Sequence, residues 1–287
     1  MQSPAAGKSD MKGLCLVLGA VCLAGHAAAA DLPVKTLADP VAVPYTWTGF
    51  YFGGNAGWNW GNGQTVGFST DDPPGTLGPS AGPAAPTSFS TSGAVGGFLL
   101  GYNWQIAQRW LVGFETDYDF ASVRGHGTSS NLSSLGAIPF TSDTDQTLRW
   151  FGTVRGRLGF LPIDHLLIYG TGGFAYGRID QSATYTNTAE FLSLSSINGL
   201  CLEASTCYAG TRGRTANGWT GGGGIEYALP NNWTIRAEYL YVKLDGTDSF
   251  NETVIERQIG PAPPSTITAN YSAYTFQVVR AGISYRF

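Results

Sequence analysis

Charged side chains recur at every second position in two segments of the sequence. Glu115, Asp117 and Asp119 form one run, and Arg155 and Arg157 form another. Residues two apart share a face of an extended strand, so each run places like charges on one side of a strand. Two carboxylates can act as a general acid and base only if their environments differ and a cleft gives access to them. Carboxylates that face arginines on a neighbouring strand indicate ion pairing instead.

A wider set of charged residues shares these faces. The candidate inward-facing charges are Glu115, Asp117, Asp119, Arg149, Arg155, Arg157, Glu226, Arg236, Glu238 and Arg280. Three interpretations of this set are open: a structural network, a gate in a narrow or transient pore, and a catalytic site.

Eight segments with alternating faces could position these charges. They are Gly49–Trp60, Gly93–Trp104, Trp110–Phe120, Leu148–Phe160, Leu166–Arg178, Gly218–Leu229, Trp233–Leu244 and Tyr274–Phe287. In each segment aromatic and aliphatic side chains occupy one face, and small, polar or charged ones the other. A transmembrane strand needs about 9–11 residues, so each segment is long enough to cross a bilayer. The pattern predicts an all-β fold, an eight-stranded antiparallel transmembrane β-barrel.

The connections between these segments alternate between short and long. The long ones are 61–92, 121–147, 179–217 and 245–273. Short turns at one end and long extracellular loops at the other are typical of outer-membrane barrels, whereas a soluble sandwich would not place all its long loops at one end. The long connections are rich in Gly, Pro, Ser and Thr, which predicts mobile, water-exposed loops.

Composition supports a membrane barrel over a soluble enzyme. Only 13% of the 287 residues are charged, against about 25% in a typical soluble domain, while 13% are aromatic and 40 are glycine. The net charge of -4 gives no reason to expect a nucleic-acid partner. Seven of the eight tryptophans lie where they could form the two aromatic girdles of a membrane barrel.

The first residues have the pattern of an export signal. Lys8 and Lys12 precede the apolar run Leu14–Leu23, and Ala28–Ala30 supply a cleavage site of small residues. We therefore expect a signal peptide at residues 1–30 for Sec-type export. A periplasmic segment at 31–46 and the outer-membrane β-barrel at 47–287 would follow. No later run of 18 apolar residues predicts a transmembrane helix.

The interior of an eight-stranded barrel is just wide enough for side chains. Unpaired charges at membrane depth are costly, so the charged faces should point inward and pair. We therefore expect a salt-bridged plug rather than an open aqueous channel.

Other residues offer little chemistry. Cys201 and Cys207 stay in the mature chain, and the oxidising export route predicts a disulfide between them. His126, with serines nearby, is a weak candidate for a lipid-modifying site. Gly221–Gly224 has no Lys or helix pattern after it, which argues against a phosphate loop. We expect no metal and no cofactor.

Several motifs carry a family resemblance. They are Asp31–Pro33, Trp47–Gly57, Tyr169–Gly177, Trp219–Tyr227 and Gly282–Phe287. Together they resemble the opacity-type, porin-like outer-membrane β-barrel proteins, which are small surface antigens of Gram-negative bacteria. The resemblance implies a barrel in the cell outer membrane, and the family shares no catalytic motif.

The end of the chain carries a further resemblance. Ile283, Tyr285 and Phe287 resemble the C-terminal signal that the barrel-assembly machinery reads. The expected partners are therefore this machinery, outer-membrane lipid and lipopolysaccharide, and an extracellular ligand.

These observations favour a non-catalytic surface protein. Its expected roles are envelope integrity and contact with a host or neighbouring cells. The alternative is a low-conductance porin for small solutes. A lipid-modifying enzyme ranks last, because it would need His126 and a serine within hydrogen-bond reach at the barrel rim.

Overall fold

The computed structural model describes residues 45–70, 86–132, 139–188, 205–245, 248–254 and 267–287, all within the unit Pro44–Phe287. The predicted signal peptide and all but the last two residues of the predicted periplasmic segment lie outside the described residues. Among the described residues, no helix is long and apolar enough to span a membrane.

The described chain forms ten β-strands. They are β1 (Gly49–Thr70), β2 (Thr87–Gln105), β3 (Trp110–Leu132), β4 (Pro139–Ile163), β5 (Leu166–Asn187), β6 (Ser205–Ala228), β7 (Trp233–Leu244), β8 (Asp248–Val254), β9 (Ile267–Tyr271) and β10 (Tyr274–Arg286).

Eight of these strands close into a ring. Each of β1 to β6 pairs antiparallel with the next strand in the chain. β7 then pairs with β10, and β10 pairs with β1, which closes the ring. This confirms the predicted eight-stranded antiparallel barrel. The short β8 and β9 form a hairpin that joins β6 to the far end of β1. β7 and β10 are the two shortest strands of the ring. The hairpin extends the sheet past the C-terminal end of β7 and the N-terminal end of β10.

Six of the eight ring strands are much longer than the sequence indicated, whereas β7 and β10 have nearly the predicted bounds. The residues predicted as loop 121–147 instead extend β3 to Leu132 and start β4 at Pro139, and the other three long connections also contain strand. The prediction of loop was wrong for 61–70, 87–92, 121–132, 139–147, 179–187, 205–217, 248–254 and 267–271, which are strand, and most of the rest of these ranges lies outside the described residues. These extensions are rich in Thr and Ser, and Thr favours strands. Because polar residues occupy both faces, however, the alternation that reveals a strand is weak.

Three short connections mark the opposite end of the barrel. Ile106–Arg109 join β2 to β3, Asp164 and His165 join β4 to β5, and Leu229–Asn232 join β6 to β7. Asn231 and Asn232 both adopt positive φ, at 61° and 64°. Two such residues in sequence form the turn whose twist matches a β-hairpin, and Asn tolerates this conformation better than most residues. We call this the short-turn end and the other the long-loop end.

The outer surface carries a band of exposed aromatic and aliphatic side chains. It includes Phe52, Phe98, Phe114, Leu158, Phe174, Ile225, Ile235 and Val279. Seven tryptophans lie on this surface, whereas Trp47 is only 1% exposed and packs among interior residues. Apolar side chains on the outside and charged ones inside are the arrangement of a membrane barrel.

One irregularity inverts the faces of β4. The pairing of β4 shifts register on both sides at Arg149, between Phe120 and Val123 on β3 and between Leu148 and Trp150 against β5. A bulge of one residue breaks the period of two. Leu148 is therefore buried and Arg149 points outward, with 56% of its side chain exposed. The prediction that Arg149 faces the lumen was wrong.

Candidate functional site

The other nine predicted charges meet in one layer inside the barrel. The charge layer comprises Glu115, Asp117 and Asp119 from β3, Arg155 and Arg157 from β4, Glu226 from β6, Arg236 and Glu238 from β7, and Arg280 from β10. All are at most 4% exposed. Four guanidinium groups therefore face five carboxylates in the lumen.

Glu115 organises the half of the charge layer nearer the short-turn end. Its Oε2 accepts hydrogen bonds from Arg236 Nη1 at 2.6 Å and Arg157 Nη1 at 3.3 Å. Glu226 Oε2 accepts from Arg157 Nη2 at 2.8 Å, and Arg236 Nη2 lies 3.5 Å from the same oxygen. Thr234 donates to the second Glu226 oxygen at 2.8 Å.

Arg280 organises the half nearer the long-loop end. It donates through Nη1 to Asp119 Oδ2 at 2.5 Å and through Nη2 to Asp117 Oδ2 at 2.6 Å. Its Nε donates to Glu238 Oε2 at 2.8 Å. Thr153 donates to the remaining Asp117 oxygen at 2.8 Å. A single guanidinium thus contacts carboxylates of β3 and β7 across the lumen.

Arg155 joins the two halves. Its Nη2 donates to Glu115 Oε1 at 2.5 Å and to Asp117 Oδ2 at 2.8 Å, and its Nη1 donates to Glu238 Oε1 at 2.9 Å. The planar fork of an arginine can contact several carboxylates in fixed directions. Arg155 therefore links three carboxylates from two strands.

Sequence reasoning missed two tyrosines in this network. The Tyr51 hydroxyl donates to Glu115 Oε2 and accepts from Arg157 Nη1, both at 2.7 Å. The Tyr169 hydroxyl donates to Glu238 Oε1 at 3.1 Å, and its ring lies 3.9 Å from the Arg157 guanidinium carbon. The available signal was an aromatic residue on a face that otherwise carries mainly glycine and polar residues.

Glycines make room for both tyrosine rings. Tyr51 pairs with Gly101 on β2, and Tyr169 pairs with Gly224 on β6. A Cβ added at Gly101 would overlap the Tyr51 ring, and one at Gly224 would lie 2.7 Å from the Tyr169 hydroxyl. Each ring thus lies over the space left by the glycine on the neighbouring strand.

Apolar side chains fill the lumen on both sides of the charge layer. Toward the long-loop end, the upper cluster comprises Val95, Val123, Leu148, Phe151, Ala175, Ile179, Ala216, Leu240, Val242, Leu244, Tyr274, Phe276 and Val278. Toward the short-turn end, the lower cluster comprises Trp47, Leu111, Leu161, Leu167, Tyr169 and Ala228. The charge layer therefore lies between two apolar layers.

The segment before β1 anchors the lower cluster. Trp47 Nε1 donates to the Asp164 carbonyl at 2.9 Å, and the Trp47 amide donates to Gln105 Oε1 at 3.2 Å. Tyr45 packs edge-on against Trp47, and the Arg286 guanidinium carbon lies 4.0 Å from the Tyr45 ring centre. Burial raises the pKa of the Tyr45 hydroxyl, which keeps it neutral, and Arg286 partly opposes that shift.

This arrangement fits structural ion pairing better than proton transfer. Every carboxylate of the charge layer is buried and contacts at least one guanidinium. Removing Arg280, for example, would leave the buried Asp119 without its guanidinium partner, which is strongly destabilising. A general acid or base, by contrast, needs access to a substrate.

His126 lies outside the charge layer, on the outer face of β3. Its Nδ1 lies 2.9 Å from Asp145 Oδ1, and its Nε2 lies 3.1 Å from the Thr128 hydroxyl. No serine among the described residues hydrogen-bonds to it, and the same part of the chain holds no cluster of three His, Cys, Asp or Glu placed to bind a metal. Cys201 of the predicted disulfide lies outside the described residues, so that pairing stays a prediction.

The predicted assembly signal lies at the end of β10. Ile283 and Phe287 are exposed on the outer surface, and Tyr285 contacts both Phe287 and Trp233 with ring centres 5.4 and 5.2 Å apart. Its role in assembly stays a prediction.

The sequence pattern of the family described as "Outer membrane protein beta-barrel domain" matches residues 14–287. The chain belongs to this family. An outer-membrane β-barrel protein resides in the Gram-negative outer membrane, so its short-turn end faces the periplasm and its long-loop end the exterior.

Relatives with outer-membrane names support this assignment. The chain is 33% identical over 292 residues to the "31 kDa outer-membrane immunogenic protein" of Brucella melitensis, which covers 96% of this chain and 100% of the relative. It is 27% identical to a "22 kDa outer membrane protein" of Rhizobium leguminosarum over 73% of this chain and 70% of the relative. These relatives confirm an outer-membrane surface-antigen family.

The solved structures that resemble this chain have lower sequence identity to it. The outer membrane protein OprG of Pseudomonas aeruginosa is 10% identical with a TM-score of 0.41, covering 84% of this chain and 97% of OprG. Neisserial surface protein A is 14% identical with a TM-score of 0.30, covering 84% of this chain and 98% of that protein.

Proposed function

We propose that this outer-membrane β-barrel protein is a closed surface barrel with a structural role in the envelope and no catalytic activity. The observation that carries the proposal is the filled lumen, in which the charge layer lies between the upper and lower apolar clusters. A solute would have to displace buried side chains at three successive levels.

The charges themselves support a structural role. The four arginines tie together strands that are not neighbours in the ring. Arg236 and Arg280 connect β7 and β10 to β3, Arg155 connects β4 to β7, and Arg157 connects β4 to β6. Cross-lumen ion pairs of this kind fix the barrel's cross-section. They also satisfy charges that would be costly if unpaired at membrane depth.

The extended strands support a second part of the proposal, contact with a host or neighbouring cells. Beyond the apolar band, the outer faces of β3, β4 and β5 carry polar side chains such as Thr128, Asp145 and Thr184. These extended strands would expose a polar β-sheet surface outside the membrane. The name of the Brucella relative describes that protein as immunogenic.

Single-channel recording in planar bilayers tests the closed lumen. The mature protein, residues 31–287, is expected to give no conductance steps. A triple variant, Trp47→Ala with Arg155→Ala and Phe276→Ala, removes one large side chain from each filled layer and is expected to conduct. Stable channels from the wild type would overturn the proposal and make a low-conductance porin the leading function.

Matched variants make the recording specific. Arg149→Ala removes the same side chain from the outer surface of the same strand and should stay silent. Folding of every variant is checked by the shift in gel mobility between unheated and heated samples, so a silent variant that is merely unfolded is recognised.

Cell adhesion tests the contact role. Cells that express the protein should bind host or neighbouring cells better than cells that lack it, and purified protein should compete. Equal binding by both strains would overturn the contact role while leaving the closed barrel in place.

A further inference from the structure

Two arginines on the outer surface lie at the extracellular border of the lipid-facing band. Arg149 directly precedes Trp150, and Arg178 is the cross-strand partner of Trp150. Trp150 contacts the rings of Tyr118 and Tyr176, with centres 5.4 and 6.0 Å away. Aromatic groups of this kind mark the membrane interface of a barrel. The backbones of Arg149 and Arg178 therefore lie at the level of the outer-leaflet headgroups.

A single carboxylate holds the two arginines together. Asp180 Oδ2 accepts from Arg149 Nε at 2.8 Å, and Asp180 Oδ1 accepts from Arg178 Nε at 3.2 Å. Among the described residues, the terminal Nη groups of both arginines have no ion-pair or hydrogen-bond partner. Two positive charges against one negative leave a local excess of +1, with donors available for a further anion.

The neighbouring strand is shaped to accommodate this group. Asp180 pairs with Gly213 on β6. A Cβ at Gly213 would overlap Arg178 Nη2 and lie 2.7 Å from Asp180 Oδ1. The absence of a side chain at Gly213 thus lets the Arg178 guanidinium lie across β6.

A groove opens beside the arginines across β4, β5 and β6. Its volume is about 340 Å³, and the hydroxyls of Ser182 and Thr211 line it with Arg149 and Arg178. Asp145 and Arg212 also line it, but both lie farther from the membrane than Arg149, and the Asp145 carboxylate lies 2.9 Å from His126 Nδ1. Arg149 and Arg178 are therefore the cationic side chains in the part of the groove nearest the membrane.

Two further cations lie near the same level. Arg124 on β3 is exposed and is the cross-strand partner of Thr147, which is itself the partner of Asp180. Lys243 on β7 is the partner of Trp219, another exposed tryptophan. Basic side chains thus follow the extracellular border of the apolar band over several strands.

We propose that Arg149 and Arg178, positioned by Asp180 over Gly213, bind the phosphate groups of lipopolysaccharide in the outer leaflet. Guanidinium groups match the geometry of phosphate oxygens, and such charge-assisted hydrogen bonds are stronger than neutral ones. The inference rests on the outer-membrane location and not on the closed lumen.

Competition binding in mixed detergent micelles tests the site. A fluorescent bisphosphorylated lipid A reports binding to the folded mature protein by anisotropy. Unlabelled bisphosphorylated lipid A, lipid A stripped of both phosphates, and inorganic phosphate are the competitors. The wild type should prefer the phosphorylated lipid, and inorganic phosphate should compete poorly because it lacks the acyl chains that lie against the apolar band.

Variants distinguish binding at Arg149 and Arg178 from nonspecific attraction to positive charge. The double variant Arg149→Gln, Arg178→Gln should weaken binding of the phosphorylated lipid at least about tenfold, as expected for the loss of charged hydrogen bonds. Gly213→Ala keeps both charges but displaces Arg178, so it should fall between wild type and the double variant. Arg109→Gln removes an arginine from the periplasmic short turn and should bind like the wild type.

Three results would overturn the proposal. These are an unchanged phosphate preference in the double variant, an equal loss in Arg109→Gln, and wild-type binding by Gly213→Ala. Inorganic phosphate that competes as well as lipid A would overturn the assignment to lipid. The site lies outside the lumen, so none of these results bears on conductance, and channel formation by the wild type would leave this site intact.

Discussion

Arg149 and Arg155 lie six residues apart on β4, a spacing that should place both on one face of a strand, yet Arg149 points outward and Arg155 is buried in the lumen. The bulge at Arg149 accounts for the difference. One strand therefore supplies an arginine to the outer surface and another to the charge layer, and the two make a matched pair for mutagenesis.

Replacing the two arginines should have very different effects on stability. Arg155→Ala removes the guanidinium that contacts Glu115, Asp117 and Glu238 and leaves three buried arginines for five buried carboxylates, which should lower the free energy of unfolding by about 3–5 kcal/mol. Arg149→Ala breaks a half-exposed pair with Asp180 and should cost no more than about 1 kcal/mol. Urea unfolding in lipid vesicles measures both, and equal losses would contradict a structural charge layer.

The fit of Tyr51 over Gly101 predicts a second stability difference. Gly101→Ala places a methyl group into the Tyr51 ring and should cost about 1–3 kcal/mol. Gly156→Ala is the control, because its nearest neighbour would be 4.0 Å away, and it should stay within about 0.5 kcal/mol of wild type. Combining Gly101→Ala with Tyr51→Ala should show coupling in a double-mutant cycle, and simple additivity would rule out the proposed clash.

The orientation of the barrel predicts which positions are labelled on intact cells. In a background with Cys201 and Cys207 changed to Ser, Ser130→Cys at the long-loop end should react with a membrane-impermeant maleimide. Gln108→Cys in a short turn should react only after the outer membrane is permeabilised. Both side chains are exposed, so access to the reagent alone decides the outcome. Labelling of Gln108→Cys on intact cells would reverse the assigned orientation.

The predicted disulfide can be tested by counting thiols. The mature chain retains Cys201 and Cys207, and their pairing should leave no free thiol in denatured, unreduced protein. Alkylation followed by mass measurement should add no label before reduction and two labels after it. Two labels without reduction would show that the cysteines are free.

The C-terminal residue predicts a difference between assembly and stability. Phe287 is 77% exposed, so Phe287→Ala should leave the urea midpoint of refolded protein almost unchanged. If the assembly machinery reads this residue, the same variant should lower the amount of folded protein in the outer membrane of cells. Phe52→Ala, also on the lipid-facing surface, is the control and should assemble at the wild-type level.

Much of the barrel core could be predicted from sequence because lipid and lumen impose opposite demands on alternate residues. Trp233–Leu244 was predicted with both ends correct, since apolar side chains alternate with Thr234, Arg236 and Glu238 through its first half. The inward direction of Glu115 and Arg280 followed from the same contrast. Where both faces are polar, as from Ala121 to Leu132, that contrast disappears and the strand was taken for a loop.

The fold class, the outer-membrane location and the faces of the regular strands follow from the amino-acid sequence, because a period of two can be read from one strand alone. The outward direction of Arg149, the position of Tyr51 over Gly101 and the burial of Trp47 inside the barrel became clear only from the three-dimensional contacts. A bulge, a cross-strand pair and a segment packed inside the barrel depend on register and contact between distant residues. The alternation of side chains along a single strand contains no information about those pairings.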